Sequence, residues 1–127
     1  MNVSVIIPAL NEEHTVAEVV RACLADDPLE VLVIDADSTD ATASRAAAAG
    51  ADVRNWRDIL SEEPRPGKGE SLWRGVAAAK GDIVVFVDAD LESAAPGMIA
   101  ALAAPFVDPA VDMVKARYQR SLNSQPT

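Results

Sequence analysis

Two aspartates, Asp88 and Asp90, directly follow a run of apolar residues and are the side chains of this sequence best placed to do chemistry. Residues 83–87 are five consecutive apolar residues, a pattern that predicts a strand covered on both faces in a parallel sheet. Because side chains alternate along a strand, residues two apart leave the backbone on the same side. Two carboxylates in that arrangement can share one hard cation, which can in turn hold a diphosphate.

An acidic pair after a strand can also have the simpler task of capping the next helix. That helix is predicted to begin near Pro96, which is too far along the chain for either aspartate to cap it. The capping alternative therefore leaves the pair without an obvious structural role.

Strands and helices alternate along the chain, which predicts an α/β fold with a parallel sheet. The predicted strands are residues 3–7 (stopped by Pro8), 30–34, 51–54, 83–87 and 111–116. The predicted helices are residues 12–25, 39–49, 70–79 and 96–104, with Ile99 and Leu102 facing inward in the last. In the first helix Asn11 is the expected cap, and an apolar stripe recurs at helical spacing: Val16, Val19, Val20, Cys23 and Leu24.

Polar residues cluster where several predicted strands end. Ligands of open parallel sheets bind beyond the carboxyl ends of the strands. Three such ends carry polar groups, in residues 8–12, 35–38 and 88–90, and the glycine-rich loop around Lys68 is expected to reach the same edge. The sequence therefore predicts one site that is built from four segments.

Each of these segments also has a simpler interpretation. Glu12 can be a first-turn helix charge, and Asp37 and Ser38 can cap the second helix. Lys68 can be a solvated loop lysine, although a lysine between two glycines is costly to order and favours close approach of the backbone to a ligand.

The remaining chemically notable residues are expected to be structural. The single histidine, His14, is predicted to lie on the surface, whereas Trp56 and Trp73 are predicted to pack. Cys23 lies in an apolar helical stripe, which indicates a core residue rather than a nucleophile.

Length and composition predict one domain, since 127 residues with 50% hydrophobic side chains can form a packed core. The 11 basic and 20 acidic residues give a formal charge of -9, which argues against nucleic-acid binding. An acidic protein that binds an anionic ligand needs a metal ion or local cations. One cysteine, no basic leader and no apolar run of transmembrane length together predict a cytoplasmic protein without a membrane partner.

Several common motifs fail. Lys68 is followed by glycine rather than Ser or Thr, so the loop is not a Walker A motif. No Gly-x-Gly-x-x-Gly follows the first strand, which argues against a nicotinamide cofactor. The position of the acid pair late in the chain disfavours an aspartyl phosphatase or a response regulator.

The segments VSVIIPALNEE (3–13), VLVIDADSTDAT (31–42) and VVFVDAD (84–90) resemble the donor half of family-two glycosyltransferases of the GT-A fold. Within that family, residues 55–91, and RPGKGESLWR above all, look like the glucosyl-3-phosphoglycerate synthases. The resemblance covers nearly the whole chain and weakens after Lys115. It implies a Rossmann-like, mainly parallel sheet with helices on both faces, truncated to the nucleotide-sugar-binding half (residues 1–120) with a polar tail (121–127).

The resemblance also implies a UDP-glucose donor, a divalent cation (Mg²⁺ or Mn²⁺), and retaining transfer of glucose to the 2-hydroxyl of 3-phosphoglycerate. Ser38 is expected to contact the nucleotide and Lys68 the donor, while Asp90 is expected to ligate the metal. Asp88 and Ala89 are expected to hold the ribose and sugar regions. The residues expected to line the uridine pocket are Pro8, Ala9, Leu10 and Glu12.

The family continues into an acceptor-binding half with a further histidine metal ligand, whereas His14 lies in the wrong segment and no histidine follows it here. The expectation is a donor half that binds UDP or UDP-glucose weakly, transfers glucose poorly or not at all by itself, and has no certain catalytic residue. One alternative is a non-catalytic nucleotide-sugar-binding or partner module that needs a second chain. Another is a phosphotransfer domain of similar topology. The truncation that the resemblance implies would remove the strands that pair beyond the acid-bearing strand and leave an apolar edge, which predicts homo-oligomers or a partner chain.

Overall fold

The computed structural model describes residues 2–107 and contains one parallel sheet with helices around it. The strands are β1 (Val3–Ala9), β2 (Glu30–Asp35), β3 (Asp52–Asn55) and β4 (Ile83–Phe86). The helices are α1 (Val16–Leu24), α2 (Thr42–Ala48), α3 (Lys68–Ala78) and α4 (Met98–Ala103), with 3-10 turns at Trp56–Asp58 and Ala104–Val107. The predicted α/β alternation is confirmed. The predicted strand at 111–116 and the polar tail lie outside the described residues.

The strand order β3-β2-β1-β4 makes β1 a central strand. It pairs with β2 on one side, from Ser4 opposite Glu30 to Ala9 opposite Asp35. On its other side it pairs with β4, and the last paired residues there are Ile6 and Phe86. All pairs are parallel, so the carboxyl ends of the four strands meet at one edge of the sheet.

Apolar side chains cover both faces of this sheet, as expected from the resemblance. On one face the strands pack against α1, α2 and α4 through the buried side chains of Val5, Ile7, Val16, Val19, Val20, Cys23, Val31, Val33, Ala46, Val85 and Ile99. On the other face Ile6, Leu32 and Ile34 pack with Trp56 beneath α3. The predicted stripe of α1 is buried except at Leu24, which is 37% exposed.

β1 runs through Pro8 to Ala9, so the prediction that Pro8 ends the strand is wrong. The carbonyl of Ile6 accepts from the N–H of Val87, and the carbonyl of Ala9 accepts from the N–H of Ala36 beyond β2. Even-numbered residues of β1 therefore turn their backbone groups toward β4. Pro8 has its missing N–H on that side, beyond the last pair with β4, and so removes no ladder hydrogen bond.

β4 is not covered on both faces, contrary to the prediction. It ends at Phe86, whose side chain is 49% exposed, because β4 is an edge strand of the described sheet and α3 packs over β1 and β2 instead. Asp88 and Asp90 consequently lie in the turn that follows the strand. The alternation of side chains along a strand therefore does not fix their directions.

The helix after the acid pair is capped from elsewhere in the chain. The Asp26 carboxylate accepts hydrogen bonds from the N–H groups of Gly97 (2.6 Å), Ile99 (2.8 Å) and Ala100 (3.1 Å) at the start of α4. Those contacts satisfy backbone donors that the first turn of a helix leaves unpaired. The inference that Asp88 and Asp90 have no capping role is confirmed.

Gly75 allows α3 to lie close to β1. A Cβ atom at this position would overlap Cγ2 of Ile6 and would lie 3.3 Å from Cγ1 of Ile34. We expect Gly75→Ala to lower the free energy of unfolding by about 1–3 kcal/mol, because overpacking a filled core costs that much. Urea denaturation measures the change.

Gly69→Ala is the matched control in the same helix, since nothing lies within 4 Å of a Cβ atom at Gly69. Alanine is the better helix former, so this variant should be neutral or more stable by up to about 1 kcal/mol. Equal destabilisation of the two variants would contradict the packing argument.

Candidate functional site

The segments that follow β1, β2 and β4 meet the start of α3 at the carboxyl edge of the sheet. The N–H of Asn11 donates to Oγ of Ser38 (2.9 Å), and Oγ1 of Thr15 donates to the carbonyl of Ala89 (2.8 Å). Nζ of Lys68 lies 2.6 Å from Oδ1 of Asp88. The predicted convergence of four segments on one edge is therefore confirmed.

Asn11 ties the segment after β1 to the segment after β2. Its backbone adopts φ 54°, a left-handed conformation that asparagine tolerates better than most residues. Its Oδ1 accepts from the N–H of Thr39 (2.9 Å), and the next N–H, of Glu12, donates to Oγ1 of Thr42 (2.8 Å). Asn11 therefore does not cap α1, which begins later than predicted, at Val16, because these residues bind the neighbouring segment instead.

Asp37 and Ser38 do not cap α2, so that alternative is wrong. Oγ of Ser38 accepts from Asn11, and the N–H of Thr42, the first residue of α2, donates to Oδ1 of Asp40 (2.9 Å). The Asp37 carboxylate accepts from Nδ2 of Asn55 (3.0 Å) and Nε of Arg57 (2.7 Å). These two donors hold the pKa of Asp37 below its usual value.

Lys68 is the first residue of α3 rather than a loop residue, and its side chain, although 58% exposed, pairs with Asp88. The residue before it, Gly67, has φ 118°, a conformation that residues with a side chain rarely adopt. Beyond Gly67 and Gly69 there is open space to at least 4 Å. A ligand can therefore approach the backbone closely on either side of Lys68, as the pair of glycines predicts.

Negative charge is concentrated around Glu12. Burial raises the pKa of Glu12, and the nearby charge of Asp90 raises it further, as do Asp40 and Asp88, while Lys68 lowers it. A divalent cation at this edge would relieve that repulsion. Within residues 2–107 no group of three or more His, Cys, Asp or Glu side chains is arranged to hold a metal ion by itself. The group fits a Mg²⁺ or Mn²⁺ ion that takes only one or two protein carboxylates and fills its shell with phosphate oxygens and water.

The predicted uridine-pocket residues differ in their exposure. Pro8 and Ala9 are buried at the end of β1, where the carbonyl of Ala9 accepts from Ala36. Leu10 is 54% exposed and Glu12 is half-buried. In the turn after β4, Ala89 is buried and Asp90 is exposed. The nine residues predicted to bind the donor all lie on the segments gathered at this edge, and their individual roles remain predictions.

Several residues that hold these segments in place were missed by the sequence analysis. Arg57 and Asn55 bind Asp37, Thr42 binds Glu12, and Arg74 holds the segment after β3. Only Arg74 carried a signal in the sequence, because its spacing from Glu70 is the i,i+4 spacing of a helical ion pair.

Of the four residues that were expected to have no role in the site, three are placed as predicted and one is not. His14 is exposed, Trp56 is buried, and burial raises the pKa of the Cys23 thiol to about 12, as suits a core residue. Trp73 does not pack as predicted, since 62% of it is exposed on α3. Among residues 2–107, no helix combines the length and apolar character needed to cross a membrane.

A cavity of about 400 Å³ lies near the opposite edge of the sheet. Its walls include Asn2, Asp26, Leu29 and Ile99. None of the residues predicted to bind the donor lines this cavity, so the candidate site is the open carboxyl edge instead.

The chain matches the family described as glycosyl transferase family 2 over residues 4–125. It is 47% identical over 126 residues to the glucosyl-3-phosphoglycerate synthase of Mycolicibacterium paratuberculosis, covering 95% of this chain and 38% of the relative. It is 38% identical over 130 residues to the synthase of Petrotoga mobilis, covering 96% of this chain and 40% of the relative. The chain thus spans less than half the length of the curated relatives it matches.

Solved structures of glucosyl-3-phosphoglycerate synthase from Mycobacterium tuberculosis share this architecture. The complex with UDP superposes with a TM-score of 0.77 at 46% identity, covering 84% of this chain and 40% of that one. Complexes with Mn²⁺, UDP-glucose and phosphoglyceric acid, and with Mg²⁺ and UDP, each have a TM-score of 0.77 at 45% identity and cover 83% of this chain and 39% of theirs. The resemblance drawn from the sequence is confirmed.

Glu12→Gln should stabilise the fold at neutral pH. Because the pKa of Glu12 is raised in the folded state, its ionised form opposes folding above the unfolded pKa of about 4.3, and the penalty vanishes once both states are protonated. We expect a gain of up to about 1 kcal/mol at pH 7, as for a partly exposed charge, and none below about pH 4.

Urea denaturation at the two pH values measures this difference. Glu18→Gln is the control, since Glu18 is an exposed acid in the first turn of α1, where the helix dipole favours its charge. That variant should show no gain. A gain for Glu12→Gln that persisted in acid would show that charge is not its cause.

Proposed function

Because this chain belongs to glycosyl transferase family 2, we propose that its carboxyl-edge site binds UDP-glucose with a divalent cation, as the donor half of a glucosyl-3-phosphoglycerate synthase. The observation that carries this proposal is the ion pair between Lys68 and Asp88 at the carboxyl edge. At the same edge, the nearby charges of Asp90 and Asp88 raise the pKa of Glu12. A cation and a carboxylate cluster on one open edge suit a ligand that is itself a metal-bound diphosphate.

The complexes of the M. tuberculosis synthase support this choice of ligand. One contains UDP with Mg²⁺, and another contains UDP-glucose with Mn²⁺ and phosphoglyceric acid. The identity of 45% to those chains makes the same donor and the same class of cation the natural proposal here.

For the diphosphate, we assign the leading roles to Asp90 and Lys68. Asp90 is exposed in the turn after β4 and would hold the cation, which supplies positive charge to the leaving diphosphate. The Lys68 ammonium would face the same phosphates and stabilise the negative charge that develops as the glucose–phosphate bond breaks. A local cation matters in a chain whose formal charge is -9.

For the nucleoside and sugar, we assign the residues around the first and second strand ends. Leu10 offers an exposed apolar surface, and Glu12 and Ser38 offer polar groups that can fix the orientation of the uridine. Pro8 and Ala9 would shape the floor of this pocket from the end of β1. Asp88 and Ala89 would contact the ribose and the glucose.

Transfer to the 2-hydroxyl of 3-phosphoglycerate, with retention, is proposed for this site together with an acceptor-binding part. The resemblance places a further histidine metal ligand in the acceptor-binding part. The one histidine within residues 2–107, His14, is exposed beside Glu13 just before α1. We propose that the acceptor binds through groups other than the described ones. Residues 1–120 are proposed to form the donor half.

The surroundings of this site are also proposals. Phe86 is exposed on β4, an edge strand of the sheet formed by residues 2–107, and this supports a contact with a second copy or a partner chain there. A cytoplasmic location is also proposed, on the ground that the single cysteine, Cys23, is a free and buried thiol.

Calorimetric titration with UDP, UDP-glucose and GDP-mannose, with and without Mg²⁺, tests the proposal. We expect binding of the uridine ligands only, and only with the metal. Asp90→Asn should weaken UDP binding in Mg²⁺ by more than about tenfold, since even the outer-shell partners of a metal contribute that much.

Asp82→Asn is the matched control, because Asp82 is an exposed aspartate just before the start of β4, at the opposite edge of the sheet. It removes the same charge and should leave UDP affinity unchanged. Metal-independent binding, or equal losses in the two variants, would refute the assignment of Asp90.

A further inference from the structure

Arg74 is a buried arginine in the middle of α3, with 1% of its surface exposed. Its Nε donates to Oε2 of Glu70 (2.7 Å), one turn earlier in the helix. Its two terminal nitrogens donate to backbone carbonyls of the segment after β3: Trp56 (2.7 Å), Leu60 (3.2 Å) and Glu62 (2.6 Å). One guanidinium therefore binds one side chain and three main-chain oxygens.

These contacts attach the segment 56–62 to α3. The chain then runs through residues 63–67 into Lys68, which is the first residue of the same helix. Arg74 therefore binds the segment that precedes residues 63–67 and belongs to the helix that follows them. It thus fixes the chain on both sides of the connection that leads to Lys68. It does not touch a ligand at that edge itself, because Lys68 lies six positions earlier in the helix, about 9 Å away along its axis.

Burial makes this attachment geometrically strict. A buried charge is tolerated only when its hydrogen-bonding groups are paired, so the guanidinium fixes the three carbonyls at the positions its planar shape allows. Arg57 holds the outer side of the same segment through Asp37 and Glu63, but these ion pairs are exposed. Exposed ion pairs fix little, so Arg74 is the charged side chain that fixes the segment, alongside the packing of Trp56 in the core.

We propose that Arg74 is a positioning residue for diphosphate binding, acting through Lys68. It fixes the 56–67 segment and the start of α3 so that the Lys68 ammonium meets Asp88 at the carboxyl edge. This inference rests on the proposed function of that edge as a nucleotide-sugar site. A residue that only stabilised the fold would affect all ligands alike, whereas this role concerns the phosphates.

Arg74→Lys tests the role, because lysine keeps the charge but has a single ammonium that cannot reach Glu70 and all three carbonyls at once. The affinities of UDP and of uridine are measured in Mg²⁺ by calorimetry and by NMR titration. Uridine has no phosphates and so bypasses Lys68. We expect about tenfold or greater weakening for UDP, the size of one lost charged hydrogen bond, and less than about twofold for uridine.

A double-mutant cycle with Lys68→Ala isolates the path of the effect. If Arg74 acts through Lys68, Arg74→Lys should cause no further loss of UDP affinity in the Lys68→Ala background. Arg57→Lys, in the exposed contacts of the same segment, is the control and should change UDP affinity by less than about twofold. Circular dichroism verifies that each variant folds. If Arg74→Lys unfolds, it is replaced in the same cycle by Glu70→Ala, which removes only the partner of the Arg74 Nε.

The inference is overturned if Arg74→Lys binds UDP as the original chain does. Equal weakening of UDP and uridine, or the same loss with and without Lys68, also overturns it and leaves a structural role only. These outcomes differ from failure of the proposed function, in which the original chain itself does not bind UDP and both ideas fall together.

Discussion

The ion pair between Lys68 and Asp88 joins the two sides of the candidate site, and the rest of the structure determines whether it forms. Both side chains are partly exposed, at 58% and 33%, and an ion pair of that kind contributes little stability of its own. The pair therefore cannot draw α3 and the turn after β4 together. Their positions must be set by the scaffold, and the pair reports where that scaffold places its ends.

The scaffold does this through packing and through hydrogen bonds between segments. Gly75 lets α3 lie directly on Ile6, and the buried Arg74 attaches the preceding segment to the same helix. On the other side, Thr15 holds the carbonyl of Ala89 and so fixes the turn that carries the acid pair to the start of α1. A cation and several carboxylates are thereby held on one edge of a strongly acidic chain, where mutual repulsion would otherwise separate them.

Much of this arrangement was predictable from local pattern, and the errors share one cause. Apolar runs and turn residues predicted the described strands and the edge where they end. The prediction that Pro8 ends β1 was wrong because the sequence does not show that β4 no longer pairs with β1 at Pro8. The prediction that β4 is covered on both faces was wrong because the sequence does not show that α3 packs over β1 and β2 instead. The late starts of α1 and α2 arise because residues such as Asn11 bond across the site, and the carbonyl contacts of Arg74 depend equally on residues far apart in sequence.

Paramagnetic relaxation by Mn²⁺ tests the central claim most directly, because it locates the metal on the folded chain. In the presence of UDP, the amide signals of Glu12 and of Asp88 to Asp90 should broaden at low Mn²⁺ concentration, while those around Asp26 at the opposite edge stay sharp. Without UDP the broadening should be much weaker, since the diphosphate completes the metal shell. Broadening centred on Asp26, or spread evenly over the acidic surface, would contradict a metal–diphosphate site at the carboxyl edge.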